Sequence, residues 1–178
     1  MEVRCAVESD KRVCAHFDSA VRKEIADIMK ISDILCPALI KTELESETKY
    51  ELFEEMVDLF VKAGEITDRD QAVRVLEERE ARMSTGISSG LGLPHGRLPG
   101  LTHPLLALGI SHEGIEYESL DGEPVYVVIA IFAKEDEPML HVQMLAEISR
   151  LFSVPDFLRR LRQCRTADEV LAVFRSEE

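Results

Sequence analysis

The chain has 178 residues, of which 46% are hydrophobic and 31% are charged, and its formal net charge is −13. This length and composition indicate one globular domain with a substantial core, and no apolar run reaches the about 18 residues of a membrane span. The acidic balance, without a large Lys/Arg cluster, argues against nucleic acid as a partner and favours a basic protein partner or plain solubility.

Residues 1–30 are predicted to be an N-terminal extension, and residues 31–178 the domain itself. Apolar residues alternate over residues 3–7 and again over residues 13–17, with polar residues 8–11 between the two runs, as in a short hairpin. A helix-like apolar stripe follows from Asp18. The extension has enough apolar residues to pack on its own domain or on a second copy of the chain. A homodimer is therefore one of the alternatives. Its start has scattered charges and no apolar core, unlike a secretory signal, so we expect a cytoplasmic protein.

The first half of the domain reads as helices around one short strand. Residues 32–37 suggest a short helical turn, and residues 38–44 alternate like a strand. Ser46 is predicted to cap a helix whose apolar stripe stops at Gly64. Thr67 is predicted to open the next helix, which carries four residues inward: Ala72, Val73, Leu76 and Met83.

Arg79 is the unusual residue on that second helix. At 100° per residue it projects close to the inward stripe, where a guanidinium needs an anionic partner. Two partners are open, namely a carboxylate such as Glu77 or Glu78, and a phosphate held by the loop that follows. The residues that follow Arg79 form a signature, and that signature favours the phosphate.

That loop is rich in glycine and hydroxyl residues and ends on Pro94-His95-Gly96. Glycine lets the backbone approach an anion closely, and serine and threonine hydroxyls add hydrogen-bond donors. Proline fixes the backbone beside the histidine. The pattern suits an imidazole beside an anion, and the plain alternative is a glycine-rich turn with His95 exposed.

The second half of the domain contains the most apolar segments. Residues 105–110 read as a buried strand, and residues 125–133 (VYVVIAIFA) as a central strand covered on both faces. Pro138 suits the first position of a helix, and His141 lies on that helix's apolar arc. A lone histidine on an apolar face is usually a core histidine with its hydrogen bonds satisfied.

Two shorter helices are predicted to finish the chain. One starts near residues 153–155 and runs to about Gln163. The other opens at Thr166, which forms a capping-box pattern with Glu169.

The pattern RE-x-x-x-STGI-x-x-G-x-x-x-PHG over residues 79–96 resembles the active-site signature of type-2 enzyme IIA domains. These domains belong to the bacterial phosphoenolpyruvate-dependent sugar phosphotransferase system, and this fructose/mannitol class includes stand-alone nitrogen-regulatory proteins. The resemblance runs from about Ile31 to the C-terminus. Ser88 and Gly92 depart from the pattern, since the family mostly has glycine and alanine there. The resemblance implies an α/β fold, a three-layer α/β/α sandwich with a central mixed β-sheet.

The resemblance also implies a phosphotransferase that works through a phosphohistidine. His95 would accept the phosphoryl group from the phosphocarrier protein HPr through Nε2, and His141 would be the second active-site histidine. Arg79 and His141 would stabilise charge on the phosphoryl oxygens, with Ser84 and Thr85 as weaker donors. The group would pass to a IIB domain, as in a sugar-specific IIA component, or serve as a regulatory signal to a target protein. The solitary domain slightly favours regulation.

No metal or nucleotide cofactor is expected. The glycine-rich loop lacks the Lys-Ser/Thr ending of a Walker loop. A metal-dependent hydrolase is the competing class, but its candidate histidines have no HxH or HExxH spacing: His95, His103, His112 and His141. The four cysteines show no CxxC spacing, and we expect them to be reduced and mostly buried: Cys5, Cys14, Cys36 and Cys164.

Overall fold

The computed structural model describes residues 30–178, so the sequence-based predictions for residues 1–29 lie outside the described residues. The helices within it are α1 (Ile31–Ile34), α2 (Lys49–Ala63), α3 (Arg69–Glu80), α4 (Pro138–Phe152), α5 (Phe157–Gln163) and α6 (Ala167–Arg175). The strands are β1 (Ile40–Lys41), β2 (Gly86–Ile87), β3 (Leu91–Gly92), β4 (His95–Arg97), β5 (Leu105–Ile115) and β6 (Val125–Ala133). None of these helices has both the length and the apolar character that crossing a membrane requires.

The strands form one mixed sheet in the order β1-β5-β6-β3-β2, and β4 also pairs with β6. Strand β6 is central, because it runs antiparallel to β5 on one side and parallel to both β3 and β4 on the other. In this register His95 lies opposite Ile131. The start of β4, and with it His95, is therefore attached to the most buried strand of the fold.

Side chains of β6 alternate between two cores. Val128, Ala130 and Phe132 pack with α2 and α3, whereas Val127, Ile129 and Ile131 pack with α1, α4, α5 and α6. A strand with both faces covered needs an unbroken apolar sequence, and that is why residues 125–133 show no polar alternation. The predicted three-layer α/β/α sandwich with a mixed sheet is confirmed.

Two predicted helix caps are wrong by one or two residues. Thr48, not Ser46, is the N-cap of α2, and its capping box with Glu51 satisfies the first backbone N–H groups. Ser46 instead donates its hydroxyl and backbone N–H to Glu55. Asp68 replaces the predicted Thr67 at the start of α3, since its side chain accepts from the Gln71 N–H at 2.9 Å.

Three other predicted helix boundaries are confirmed, whereas one predicted strand is shorter and one predicted helix begins later. Gly64 ends α2 in the left-handed region at φ 79°, Pro138 begins α4, and Thr166 caps α6 through its capping box. Of the strand predicted over residues 38–44, only β1 forms, and a 3-10 turn over Pro37–Leu39 replaces its start. Helix α5 begins at Phe157 rather than near residues 153–155.

Candidate active site

A solvent-open groove of about 460 Å³ lies where the end of α3, strand β4 and the first turn of α4 meet. Its charged lining is mainly basic, with three arginines against one glutamate, and two histidines lie beside them. The lining residues are Val75, Glu78, Arg79, Arg82, His95, Gly96, Arg97 and His141. The groove thus brings together the three principal residues predicted from the family resemblance, Arg79, His95 and His141.

Gly96 brings these elements together. A Cβ atom on Gly96 would lie 2.2 Å from Cγ1 of Val75, a distance that no ordinary packing tolerates. The missing side chain therefore lets β4 approach the turn of α3 that precedes Arg79. Glycine follows the histidine in this sequence because the strand must lie directly against the helix that supplies the arginine.

The hydrogen bonds of His95 define its tautomer. Nδ1 lies 2.8 Å from the Leu93 carbonyl oxygen, which only accepts, so Nδ1 carries the proton and donates. Nε of Arg79 donates to Nε2 of His95 at 3.1 Å, so Nε2 presents its lone pair. A neutral imidazole with an unprotonated Nε2 is the nucleophilic form, and its lone pair can attack an electrophile that displaces the guanidinium from Nε2.

Arg79 has no ion pair with any carboxylate in residues 30–178. Its Nε contacts His95, and its Nη1 donates to the Met83 carbonyl at 3.1 Å. The alternative of an ion pair with Glu77 or Glu78 is therefore wrong. The guanidinium is half-buried, and no carboxylate of residues 30–178 neutralises its positive charge. It can therefore bind an anion such as a phosphate in the groove.

His141 faces His95 across the groove. The ring centroids are 5.3 Å apart, and the rings are inclined by 46°. Only 8% of His141 is exposed, and its Nδ1 has no hydrogen-bond partner in the described residues. Burial lowers the pKa of His141 to about 4, with further contributions from His95, Arg97 and Arg79. It is not a core histidine with satisfied hydrogen bonds, because one buried nitrogen is left without a partner.

Burial also lowers the pKa of His95, and the Arg79 cation adds to that effect. The hydrogen bond to the Leu93 carbonyl and the charge of Glu80 act in the opposite direction. Since the ordinary value is 6.5, the lowered pKa keeps His95 neutral at neutral pH. A neutral imidazole is the nucleophilic form.

Ser84 and Thr85 do not line the groove. Ser84 Oγ accepts from the Gly86 N–H, whereas Thr85 is buried and its hydroxyl contacts Glu80 and Tyr117. Their predicted role as phosphate donors has no support in this geometry and stays a prediction. Two arginines that were not predicted, Arg82 and Arg97, do line the groove. Their basic character was visible in the sequence, but their orientation was not.

The residues described form no group of three His, Cys, Asp or Glu side chains that could hold a metal ion. His103 pairs with Glu65 at 3.4 Å, and neither His103 nor His112 lines the groove. The metal-dependent hydrolase therefore lacks its ligand set in this part of the chain. Cys36 and Cys164 are free thiols, and Cys164 is buried.

The fold and the groove define a class of small α/β domain that presents a neutral histidine beside an arginine and a second histidine. The sequence of residues 33–177 matches the family model described as phosphoenolpyruvate-dependent sugar phosphotransferase system, EIIA 2. The chain belongs to this family and is a phosphoryl-carrier component of the phosphotransferase class.

Individual relatives come from both branches of the family. A fructose-specific EIIABC component of Bacillus subtilis is 32% identical over 84% of this chain, which spans 24% of that protein's length. A fructose-specific EIIA component of Haloferax volcanii is 33% identical over 82% of this chain and 97% of that protein. The crystal structure of nitrogen regulatory protein IIA-Ntr from Neisseria meningitidis superposes with a TM-score of 0.75 at 27% identity, covering 81% of this chain and 98% of that one.

Proposed function

We propose that the chain is a cytoplasmic phosphoryl carrier in which Nε2 of His95 accepts the phosphoryl group from phospho-HPr. The observation that carries this proposal is the pair of hydrogen bonds on His95, from Nδ1 to the Leu93 carbonyl and from Arg79 to Nε2. Together they hold one neutral tautomer with its lone pair towards the groove. The family match over residues 33–177 supports this role and supports residues 31–178 as the functional domain.

The transfer follows from this geometry. The Nε2 lone pair of His95 attacks phosphorus in line, the N–P bond of phospho-HPr breaks, and its electron pair returns to the imidazole of HPr. His95 becomes positively charged, and the Leu93 carbonyl stabilises that charge through Nδ1–H. The guanidinium of Arg79 must leave Nε2 as phosphorus arrives, and it then meets the phosphoryl oxygens. His141 adds a second group at the same place, so no metal is needed for charge stabilisation.

Exposed apolar side chains next to the groove support a protein donor rather than a free small molecule. Met83 is 63% exposed, and its carbonyl accepts from Arg79. Met139 and Val142, which are 69% and 57% exposed, lie within two residues of His141 on α4. A mixed surface of arginines and exposed apolar groups suits docking of another protein around the histidine.

The next acceptor is a IIB domain or a regulatory target protein. The relatives named fructose-specific EIIA and IIA-Ntr resemble this chain to a similar degree, at 33% and 27% identity. Both branches use the same accepting histidine in this proposal, and they differ only in the protein that receives the phosphoryl group or its signal.

The experiment supplies phosphoenolpyruvate labelled with ³²P, enzyme I and HPr to the purified protein. We expect one acid-labile, base-stable phosphate per chain, and none on His95→Ala, which should keep its fold because His95 packs little apolar surface. Labelling of His95→Ala at the normal rate would overturn the assignment. Incubating the labelled protein with IIB domains from the same cell then separates transport from regulation, because only a transport component passes its label on.

A further inference from the structure

A cluster of buried polar side chains lies behind the groove and takes no direct part in phosphoryl transfer. It comprises Lys49 on α2, Glu80 at the end of α3, Thr85 and Tyr117. Each is at most 8% exposed. Burying a charged side chain costs free energy unless the charge is paired and hydrogen-bonded. The contacts of Lys49 and Glu80 must therefore compensate for their burial.

The hydrogen bonds of the cluster converge on Glu80. Its Oε2 accepts from the Thr85 N–H at 2.7 Å and from the Thr85 hydroxyl at 2.6 Å. Since that hydroxyl proton is committed to Glu80, the Tyr117 hydroxyl must donate to Thr85 Oγ1, which lies 2.7 Å away. Nζ of Lys49 lies 3.6 Å from Oε1 of Glu80 and also pairs with Glu118. The carboxylate thus accepts from both hydrogen-bond donors of Thr85.

A path of hydrogen bonds leads from Thr85 to the ring of His95. The Thr85 carbonyl accepts from the Leu93 N–H at 2.9 Å. The Leu93 carbonyl in turn accepts from Nδ1–H of His95 at 2.8 Å. The contact that defines the reactive tautomer therefore depends on where Thr85 holds Leu93.

The arginine side of the site depends on the same anchor. Arg79 precedes Glu80, and its Nη1 donates to Met83 in the turn that joins α3 to Thr85. Glu80 and Thr85 stand at the two ends of this turn, and their side-chain contacts close it. One buried carboxylate thus controls the position of the turn under Arg79 and the position of the loop under His95.

We propose that Glu80 is a positioning residue, which sets the Nδ1–H tautomer of His95 and its alignment with Arg79 by fixing Thr85. This inference rests on the proposed function, since the alignment matters only if His95 reacts at Nε2. Glu80 does not touch the phosphoryl group.

The test compares Glu80→Ala with the conservative Glu80→Gln. Alanine leaves the Thr85 N–H and hydroxyl without their acceptor, whereas the glutamine oxygen accepts from both. We expect Glu80→Ala to slow phosphoryl transfer from phospho-HPr, per folded molecule, by between about 10-fold and about 10²-fold. We expect Glu80→Gln to stay close to the wild-type rate.

The second readout is the tautomer of His95 in ¹⁵N NMR spectra, with its signals identified by their absence from His95→Ala. The wild type and Glu80→Gln should show Nδ1 protonated, and Glu80→Ala a mixture of both tautomers. Val170→Ala is the matched control, because Val170 is fully buried on the opposite side of the sheet. It should lose stability without any change in tautomer or in transfer rate.

A Glu80→Ala variant that loses stability but keeps the wild-type tautomer and transfer rate would overturn the proposal. If Glu80→Ala does not fold, Thr85→Val removes one of the two contacts with Glu80, and Thr85→Ser should restore it. An unchanged tautomer in Thr85→Val would then overturn the proposal equally. The tautomer measurement needs no phosphate, so it separates this inference from the proposed function, which fails if the wild type itself is not phosphorylated.

Discussion

Acidification should destabilise this protein through His141 in particular. Burial, followed by the charges of His95, Arg97 and Arg79, lowers its pKa to about 4 in the folded chain, against 6.5 for an unperturbed histidine. The unfolded chain therefore binds a proton at His141 as the pH falls through 6.5, while the folded chain does not until about pH 4. The stability that neutral His141 contributes is fully present above pH 6.5 and is lost as the pH falls towards 4.

The size of the effect follows from the two pKa values. The separation between 6.5 and about 4 corresponds to about 3 kcal/mol in the free energy of unfolding. About 2.5 kcal/mol of this is already lost at about pH 4.5. His141 is only 8% exposed, so solvent screening does not remove the effect.

The assay is urea unfolding of the wild type and of His141→Gln at pH 7 and at about pH 4.5. Carboxylates that titrate in this range are present in both proteins, so they cancel when the two losses are subtracted. The wild type should lose about 2 to 3 kcal/mol more than His141→Gln on acidification. Equal losses would show that His141 is not held neutral, and the reasoning from its burial would be refuted.

Three further predictions concern the rest of the site. Arg79→Ala should slow transfer by about 10²-fold while the melting temperature stays near that of the wild type, because a donor to the transition state is removed; a normal rate would contradict the role of Arg79. Gly96→Ala should destabilise the fold by about 1 to 3 kcal/mol and slow transfer, since its Cβ meets Val75. Adding Val75→Ala should restore both properties, and a failure to restore them would argue against that contact. NMR titration should place the pKa of His95 below 6.5, and a midpoint at or above 6.5 would contradict its partial burial beside Arg79.

Local sequence patterns predicted most of the helices and strands, whereas the three-layer arrangement was predicted from the family resemblance. The unbroken apolar run of residues 125–133 predicted the central strand together with its first and last residues. The prediction succeeded because the strand is buried on both faces, so its whole length is apolar. Errors arose where several residues compete for one role, as when Thr48 and not Ser46 capped α2. Met83 was predicted to point inward, but it is 63% exposed because α3 ends three residues earlier, at Glu80. The helical periodicity does not apply beyond that point.

The site was predicted in part. The spacing of Arg79 and His95 in one signature, and the family resemblance for His141, predicted three of the eight residues that line the groove. The tautomer of His95 could not be predicted, since it depends on a backbone carbonyl and on a guanidinium that approaches from another element. The family resemblance implied a phosphate-donor role for Thr85, and no sequence pattern showed that Glu80 and Tyr117 would contact its hydroxyl.

The central claim is that Nε2 of His95 carries the phosphoryl group, and NMR of the phosphorylated protein tests it most directly. Protein labelled with ¹⁵N in its histidine rings is phosphorylated with phosphoenolpyruvate, enzyme I and HPr, and coupling to ³¹P identifies the nitrogen bonded to phosphorus. We predict coupling on Nε2 of His95, with Nδ1 still protonated and donating to the Leu93 carbonyl. Phosphorus on Nδ1 of His95, or on His141, would contradict the account.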